Sequence, residues 1–330
     1  MAKKVVIIGP VYPYKGGISH YTGLLCKAMR HKYDVSMISY KMQYPKILFK
    51  KEQRDFADRK FEVEGTEYLI NTADIFNIRR TASYINELKP ELVIIEWWHP
   101  YFAPCYCILA GHIKAKIMFT CHNVFPHERF PMDRMLTRKT LRHGDCFMLH
   151  SEVEAKELES IIPDAEYAVN MHPTYSVFNE ENQDSGCITD EPEQDTLLFF
   201  GFVRPYKGLK ILLKAMTLLP DVIHLNVVGD FGGSRDEYDA IIAENNLGDR
   251  IKIYDGYVPD DQVAEYFRAC SAVVLPYIEA TQSGIAQIAF GFGKPVICTR
   301  AGGLSEVVKD ELTGVLCEPN DVPSLADAIK

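Results

Sequence analysis

The sequence predicts an α/β fold of two doubly wound parallel-sheet domains, and three observations carry that prediction. Strand-like apolar runs alternate with helical patterns from one end of the chain to the other. The runs are continuous rather than alternating, as strands buried on both faces of a parallel sheet require. An acidic stretch past the middle then divides them into two series.

The first series opens with "KKVVIIGP", followed by a helix-like "ISHYTGLLCKAM" and by "DVSMISY". "ELVIIEWW", "KIMFTCHNV", "CFMLHS" and "EYAVNMHP" continue it, with helical patterns between most of them. "FNEENQDSGCITDEPEQD" then carries seven acids, no Lys or Arg, and little that builds a core. It reads as an interdomain linker. The second series is "TLLFFGF", "HLNVVGD", "RIKIYDG", "AVVLPY", "KPVICT" and "TGVLCEP". The expected organisation is a first domain over residues 1–178, a linker over 179–195 and a second domain over 196–330. The closing "SLADAIK" stops inside an expected helix, so the second domain reads as clipped at its C-terminal end.

Composition narrows the function classes. At 330 residues the chain is long enough for two domains, each with its own core. Hydrophobic residues at 47% and charged residues at 25% are ordinary for a globular protein. No apolar run reaches the roughly 20 residues that span a bilayer, and the N-terminal apolar run is too short for a secretory leader. Nine cysteines lie scattered without a CxxC pair, which predicts reduced thiols and a cytoplasmic enzyme rather than a disulfide framework or a zinc site. The net charge is −9, with 24 Lys+Arg against 20 Asp+Glu in residues 1–178 and 12 against 25 in the rest. Part of the basic excess lies between Lys41 and Lys60 and at Arg79 and Arg80. An anionic membrane at the inner face of the cell would meet such a stretch, and so would an acidic substrate; a solvated loop has the same composition. Nucleic acid is not an expected partner of an acidic chain without aromatic-rich basic stripes.

Ligands of open parallel sheets sit beyond the carboxyl ends of the strands, so the chemistry is sought there. After the first run, Gly16 and Gly17 precede a helix, where backbone N–H groups can approach a phosphate or sugar. The pattern is not GxGxxG, which weakens a dehydrogenase or epimerase reading. "FTCHNVFPHE" places His122 at another strand end, as either a catalytic or a hydrogen-bonded structural histidine. The spacing of His122, His127 and Glu128 is not that of a metal site. "GFVRPYKG" puts Arg204 and Lys207 beside Gly208 at a strand-to-helix junction. A guanidinium fork, an ammonium and a helix N-terminus together suit phosphate oxygens. In "YIEATQSGIAQ", Thr281, Gln282, Ser283 and Gly284 follow Glu279 and start another helix, a second cradle for a diphosphate. "VVGDFGG" and "YDGYVPDDQVAEYF" end two further strands, as base-pocket walls or plain turns.

In their order and spacing these segments resemble the family 4 glycosyltransferases of the GT-B fold over nearly the whole chain. The resemblance rests on the Gly16-Gly17 loop, His122, Arg204 with Lys207-Gly208, "GYVPDDQVAEYFRACSAVVLP" and "GKPVICTRAGGLSEVV". It implies two Rossmann-like domains facing across a cleft, the second holding a nucleotide-diphosphate sugar and the first presenting a glycan or lipid-linked acceptor. Carried over by position, Arg204 and Lys207 neutralise the departing diphosphate, Gly17 touches phosphate or sugar, His122 lies near the donor sugar, and the main chain at Tyr257 and Val258 meets the base. It also implies hexosyl transfer with retention, without metal or other cofactor, in polysaccharide or glycolipid synthesis.

One departure stands out. The family often carries two glutamates before "GKPV", the first facing the sugar and the second the ribose. Here Glu279 is followed by Gln287, whose amide can still bond ribose hydroxyls; the alternative register gives Ala280 and Ile288. This marks a divergent branch with an "ATQSG" loop. It also keeps a second reading open, a non-catalytic sugar-nucleotide-binding protein or assembly partner.

Overall fold

The computed structural model describes residues 2–47, 52–56, 59–126, 128–179 and 195–330. His127 and nearly all of the acidic linker lie outside these residues, as do positions 48–51 and 57–58 of the basic stretch. The chain divides into two compact units, Met1–Asn170 and Met171–Lys330.

The first unit is built on a parallel sheet of seven strands: β1 (Lys4–Ile8), β2 (Asp34–Met42), β3 (Glu67–Asn71), β4 (Leu92–Trp97), β5 (Lys116–Cys121), β6 (Cys146–Leu149) and β7 (Tyr167–Val169). Their order is β3-β2-β1-β4-β5-β6-β7. β1 pairs with both β2 and β4, so the winding reverses at β1 and opens a crevice at its carboxyl end. Val6, Ile8, Val93, Ile95 and Phe119 are buried together with Ile78 and Ile85 of helix Ile75–Glu87. On the opposite face Val5, Ile7, Met37 and Ile94 form a second layer. Continuous apolar strands are what two covered faces demand.

The second unit carries a parallel sheet of six: β8 (Thr196–Phe200), β9 (His224–Gly229), β10 (Ile251–Asp255), β11 (Ala272–Leu275), β12 (Val296–Thr299) and β13 (Gly314–Cys317). The order β10-β9-β8-β11-β12-β13 again reverses at its first strand. Leu197, Phe199, Leu212, Val227 and Val274 pack in its core.

Two expectations are corrected. The strand β3 was absent from the sequence reading; "EYLIN" is short, polar at its ends and on the sheet edge, where one neighbour suffices. The first unit ends at Asn170 rather than at 178. The reason is local: Tyr175 N–H donates to the Gln287 carbonyl at 3.2 Å and Asn179 Nδ2 to the Gly291 carbonyl at 3.3 Å, so this segment packs with the second unit.

Candidate active site

At the carboxyl edge of the second sheet, β8 runs into Gly201 and a single short turn, Pro205–Lys207, before helix Leu209–Ala215. Gly208 joins turn to helix at φ 69°, and a Cβ there would stand 1.9 Å from the Pro276 carbonyl oxygen. Only glycine fits. The tight join turns Lys207 inward: it is 8% exposed, with Nζ 5.5 Å from the Tyr277 ring centroid. Gly201 makes room for it, since a Cβ on Gly201 would meet Lys207 Nζ at 3.3 Å and Ile285 Cδ1 at 3.6 Å. No carboxylate forms an ion pair with Lys207 among the described residues. Burial holds its ammonium below the usual lysine range; Tyr206 opposes this, and the nearby Arg204 charge adds to it least. Arg204 itself is exposed, and its Nη1 lies 2.8 Å from where a Gly232 Cβ would stand.

Ile285 belongs to the first turn of helix Gly284–Gly291, so the lysine and this helix start border one space. Ser283 is the N-cap residue, but its side chain makes no capping bond; its hydroxyl bonds the Tyr277 phenol instead. The first-turn N–H groups are therefore left to a ligand or water. Tyr277 is held in turn: Thr299 Oγ1 donates to its carbonyl at 2.5 Å, and burial pushes its phenol up to about 12. Behind the loop, Gly302 sits at φ 50° with a notional Cβ 1.7 Å from the Ala280 carbonyl oxygen.

The structure thus brings together Arg204, Lys207, Ser283 and Gly284. Thr281 is buried and Gln282 half-buried, with its Oε1 enclosed and lacking a hydrogen-bond partner among the described residues. Glu279 is exposed on the same loop. Gln287 is buried instead, accepting from Thr174 Oγ1 at 3.5 Å through Oε1. Its amide faces the Thr174–Tyr175 segment. Tyr257 and Val258 are half-buried beyond β10, where Gly256 N–H bonds the Gly229 carbonyl at 3.2 Å.

In the first unit, Gly16 at φ 107° precedes helix Gly17–Met29, and no heavy atom lies within 4 Å of a notional Cβ on Gly16 or Gly17. That turn is open to a ligand. His122 follows β5 and is 1% exposed, its N–H donating to the Trp97 carbonyl at 2.8 Å. Its Nε2 lies 2.7 Å from Oε2 of Glu96 in β4. Tyr21 stands edge-on to the ring at 4.9 Å and His150 lies 5.3 Å away, with His150 Nδ1 at 2.9 Å from the Asn170 carbonyl. Burial pushes both imidazoles down to about 3 and lifts the Glu96 carboxyl well above its usual range. Sequence reasoning missed Glu96, although a lone acid inside the apolar run "ELVIIEWW" was a readable signal.

A sequence model described as Glycosyltransferase Family 4 matches residues 15–169, and one described as Glycosyl transferases group 1 matches residues 194–330. The chain belongs to the family 4 glycosyltransferases. An uncharacterized glycosyltransferase of Methanocaldococcus jannaschii is 25% identical to this glycosyltransferase over 336 residues, covering 99% of this chain and 87% of its own length. The D-inositol 3-phosphate glycosyltransferase of Mycolicibacterium smegmatis is 27% identical over 212 residues, 60% of this chain and 48% of that protein, so the match spans about half of that relative. Sucrose-phosphate synthase from Thermosynechococcus elongatus superposes with a TM-score of 0.73 at 20% identity, covering 99% and 88% of the two chains. Anabaena HepE in complex with UDP and glucose gives 0.71 at 17% identity, covering 99% and 89%. At these identities the likeness is one of fold, the GT-B pair of Rossmann-like domains. No helix among the described residues of this glycosyltransferase is long and apolar enough to cross a membrane.

Proposed function

We propose that this glycosyltransferase moves a hexosyl group, with retention and without a metal ion, from a nucleotide-diphosphate sugar to a glycan or lipid-linked acceptor. The observation that carries the reading is Lys207, a buried ammonium with no carboxylate partner among the described residues, beside Arg204 and an uncapped helix start. A diphosphate supplies the missing negative charge and accepts those N–H groups. As the glycosidic bond breaks, the sugar becomes oxocarbenium-like and charge builds on the leaving diphosphate. Cations fixed beside it then bind the transition state more tightly than the ground state. In this reading a leaving phosphate oxygen takes the acceptor's proton on the face of attack, Gly16 and Gly17 approach the phosphate or sugar, and His122 lies near the donor sugar. A solved neighbour, HepE, was crystallised with UDP and glucose, which supports a nucleotide-sugar donor here.

The test is thermal stability with UDP, GDP, ADP, CMP and dTDP and their sugar conjugates. A ligand at about 100 times its Kd adds roughly 2.7 kcal/mol, and the expected shift occurs with one nucleotide and disappears in Arg204→Ala. No shift with any of them defeats the reading. Gln287 supports a second one. Its amide is engaged with Thr174, away from the ribose role that its position implies, and this suits a protein that binds the donor without turning it over. Donor hydrolysis or transfer in the purified protein removes that alternative.

A further inference from the structure

Three helices on one face of the first sheet differ sharply in charge. Helix Ala103–His112 packs against both helix Ile75–Glu87 and helix Asp133–Leu141, and all three bury apolar side chains in one core. The first of these, "APCYCILAGH", carries no Asp, Glu, Lys or Arg. A helix apolar all round belongs in an interior, yet Pro104 and Gly111 are exposed and Ile108 is half-buried. Its neighbours supply charge of one sign. Residues 129–143 hold four arginines and a lysine against a single acid, Asp133. That acid is buried and turned to Arg129, whose Nη2 donates to Oδ1 at 3.0 Å. Arg134, Arg138 and Arg142 recur at four-residue steps on the exposed surface with Lys139 beside them, and none forms an ion pair among the described residues. Arg79 and Arg80 are exposed in the same way on helix Ile75–Glu87.

Large apolar side chains stand out beside these cations: Phe76 is 79% exposed, Met132 64% and Met135 57%. They lie at the starts of their helices, toward the carboxyl edge of the sheet. Helix Ile75–Glu87 begins four residues after β3 ends at Asn71. Phe130, just before the other helix, stacks at 5.9 Å on His99, two residues past the end of β4. Met132 takes φ 72°, a backbone uncommon for a long side chain. Asp133 pins that turn by accepting from the Phe130 N–H at 3.4 Å.

We propose that this helix face docks on an anionic bilayer, with Arg138, Lys139 and Arg142 at the headgroups and Phe76, Met132 and Met135 entering the interface. Cations beside exposed apolar side chains suit both the negative surface and the acyl boundary beneath it. A nucleic acid would answer the charge but give the apolar side chains nothing to enter. The stretch Lys41–Lys60 is the rival surface, and two of its cations are already engaged. Arg54 donates to Tyr14 Oη at 3.0 Å and to the Lys41 carbonyl at 2.7 Å, and Arg59 pairs with Glu62 at 3.2 Å. Docking here is independent of the donor reading. It would bring the carboxyl edge of the first sheet to the surface from which a lipid-linked acceptor rises.

The test is flotation of the whole chain with phosphatidylcholine vesicles, with and without phosphatidylglycerol. Binding to the anionic vesicles is expected, about tenfold or more weaker in high salt and on the neutral vesicles. Arg138→Gln, Lys139→Gln and Arg142→Gln combined should lower partitioning about tenfold or more. Phe76→Ser with Met135→Ser should lower it about fivefold. Lys41→Gln with Lys46→Gln should change it by no more than about twofold. Lys139→Glu alone, expected to cost about fivefold, covers the case of a triple variant that melts early. Nucleotide-induced melting shifts should persist in all of them, which separates this proposal from the donor reading. No binding to anionic vesicles, or undiminished binding in the triple and Lys139→Glu variants, overturns the proposal. So does a loss confined to the Lys41 and Lys46 variant. Tighter binding to duplex DNA than to vesicles, lost in the triple variant, overturns it in favour of a polyanion.

Discussion

The carboxyl edges of the two sheets end on polar groups of opposite character. In the first unit, Glu96, His122, His150 and Tyr21 close on one another, and burial favours the uncharged forms of both histidines and the carboxyl. In the second, Arg204 and Lys207 stand near each other with like charge, and Lys207 is buried without a carboxylate. The first edge needs no counter-charge in the ligand-free protein. The second gathers positive charge that no carboxylate offsets among the described residues. One polypeptide thus keeps a neutral hydrogen-bonding surface and a charged one, each on the same winding of strands.

The largest expected effect tests that contrast at its sharpest point. Lys207→Met removes a buried charge and fills the space with methylenes. We expect turnover to fall by about 100-fold or more, while the ligand-free protein gains about 1 kcal/mol in urea unfolding. Loss of both activity and stability would show that the ammonium is already compensated in the free protein.

The pH response should separate the two edges next. Lys207 is held below its ordinary 10.5. As pH rises through that lowered value, the folded chain sheds a proton that the unfolded chain keeps. Ligand-free stability then rises while nucleotide affinity falls, and Lys207→Arg moves the affinity loss to higher pH. The histidines have the other dependence. His122 and His150 are held at about 3, against 6.5 when unfolded, so their contribution is full above pH 6.5 and is lost as pH falls toward 3. Glu96, raised above 4.5, contributes fully below that value and loses its contribution as pH rises through its folded value. Between pH 4.5 and about 3 only the histidine contribution changes among these three, so the first unit loses stability there. Calorimetry of wild type and His150→Asn checks this; identical acid limbs would contradict it.

The smallest effect is a control. Arg300 bridges Asp310 at 2.9 Å and Glu318 at 3.4 Å on the surface of the second unit. Being solvent-screened, it should cost under about 1 kcal/mol on replacement by Ala, with nucleotide-induced melting shifts unchanged. A loss of nucleotide response in that variant would show that positive charge anywhere on the unit matters, not its burial.

Much of this was legible in the chain. Continuous apolar runs announced parallel sheets, because a strand covered on both faces has no polar side to betray. Arg204, Lys207 and Gly208 were legible because cations, glycine and a helix start stand within a few residues. What stayed hidden was long-range. Nothing near Lys207 in sequence says that Pro276 and Tyr277 will enclose it. Glu96 and His122 are 26 positions apart and meet only because β4 and β5 pair in register. The segment after Asn170 carried no compositional mark at all, and its place in the second unit is set by the Tyr175 N–H and the Asn179 side-chain amide, which donate to the Gln287 and Gly291 carbonyls.

Gly208 and Gly302 each face a neighbouring loop's carbonyl oxygen at a distance no side chain survives, Pro276 and Ala280 respectively. Both carbonyls belong to the single run that leads into helix Gly284–Gly291. A saturating mutational scan scored on activity would therefore rank these two glycines with the ligand-binding residues, though neither has a side chain to offer. Their intolerance would report the seating of that run, and a map of sensitive positions would draw the binding surface one layer too deep.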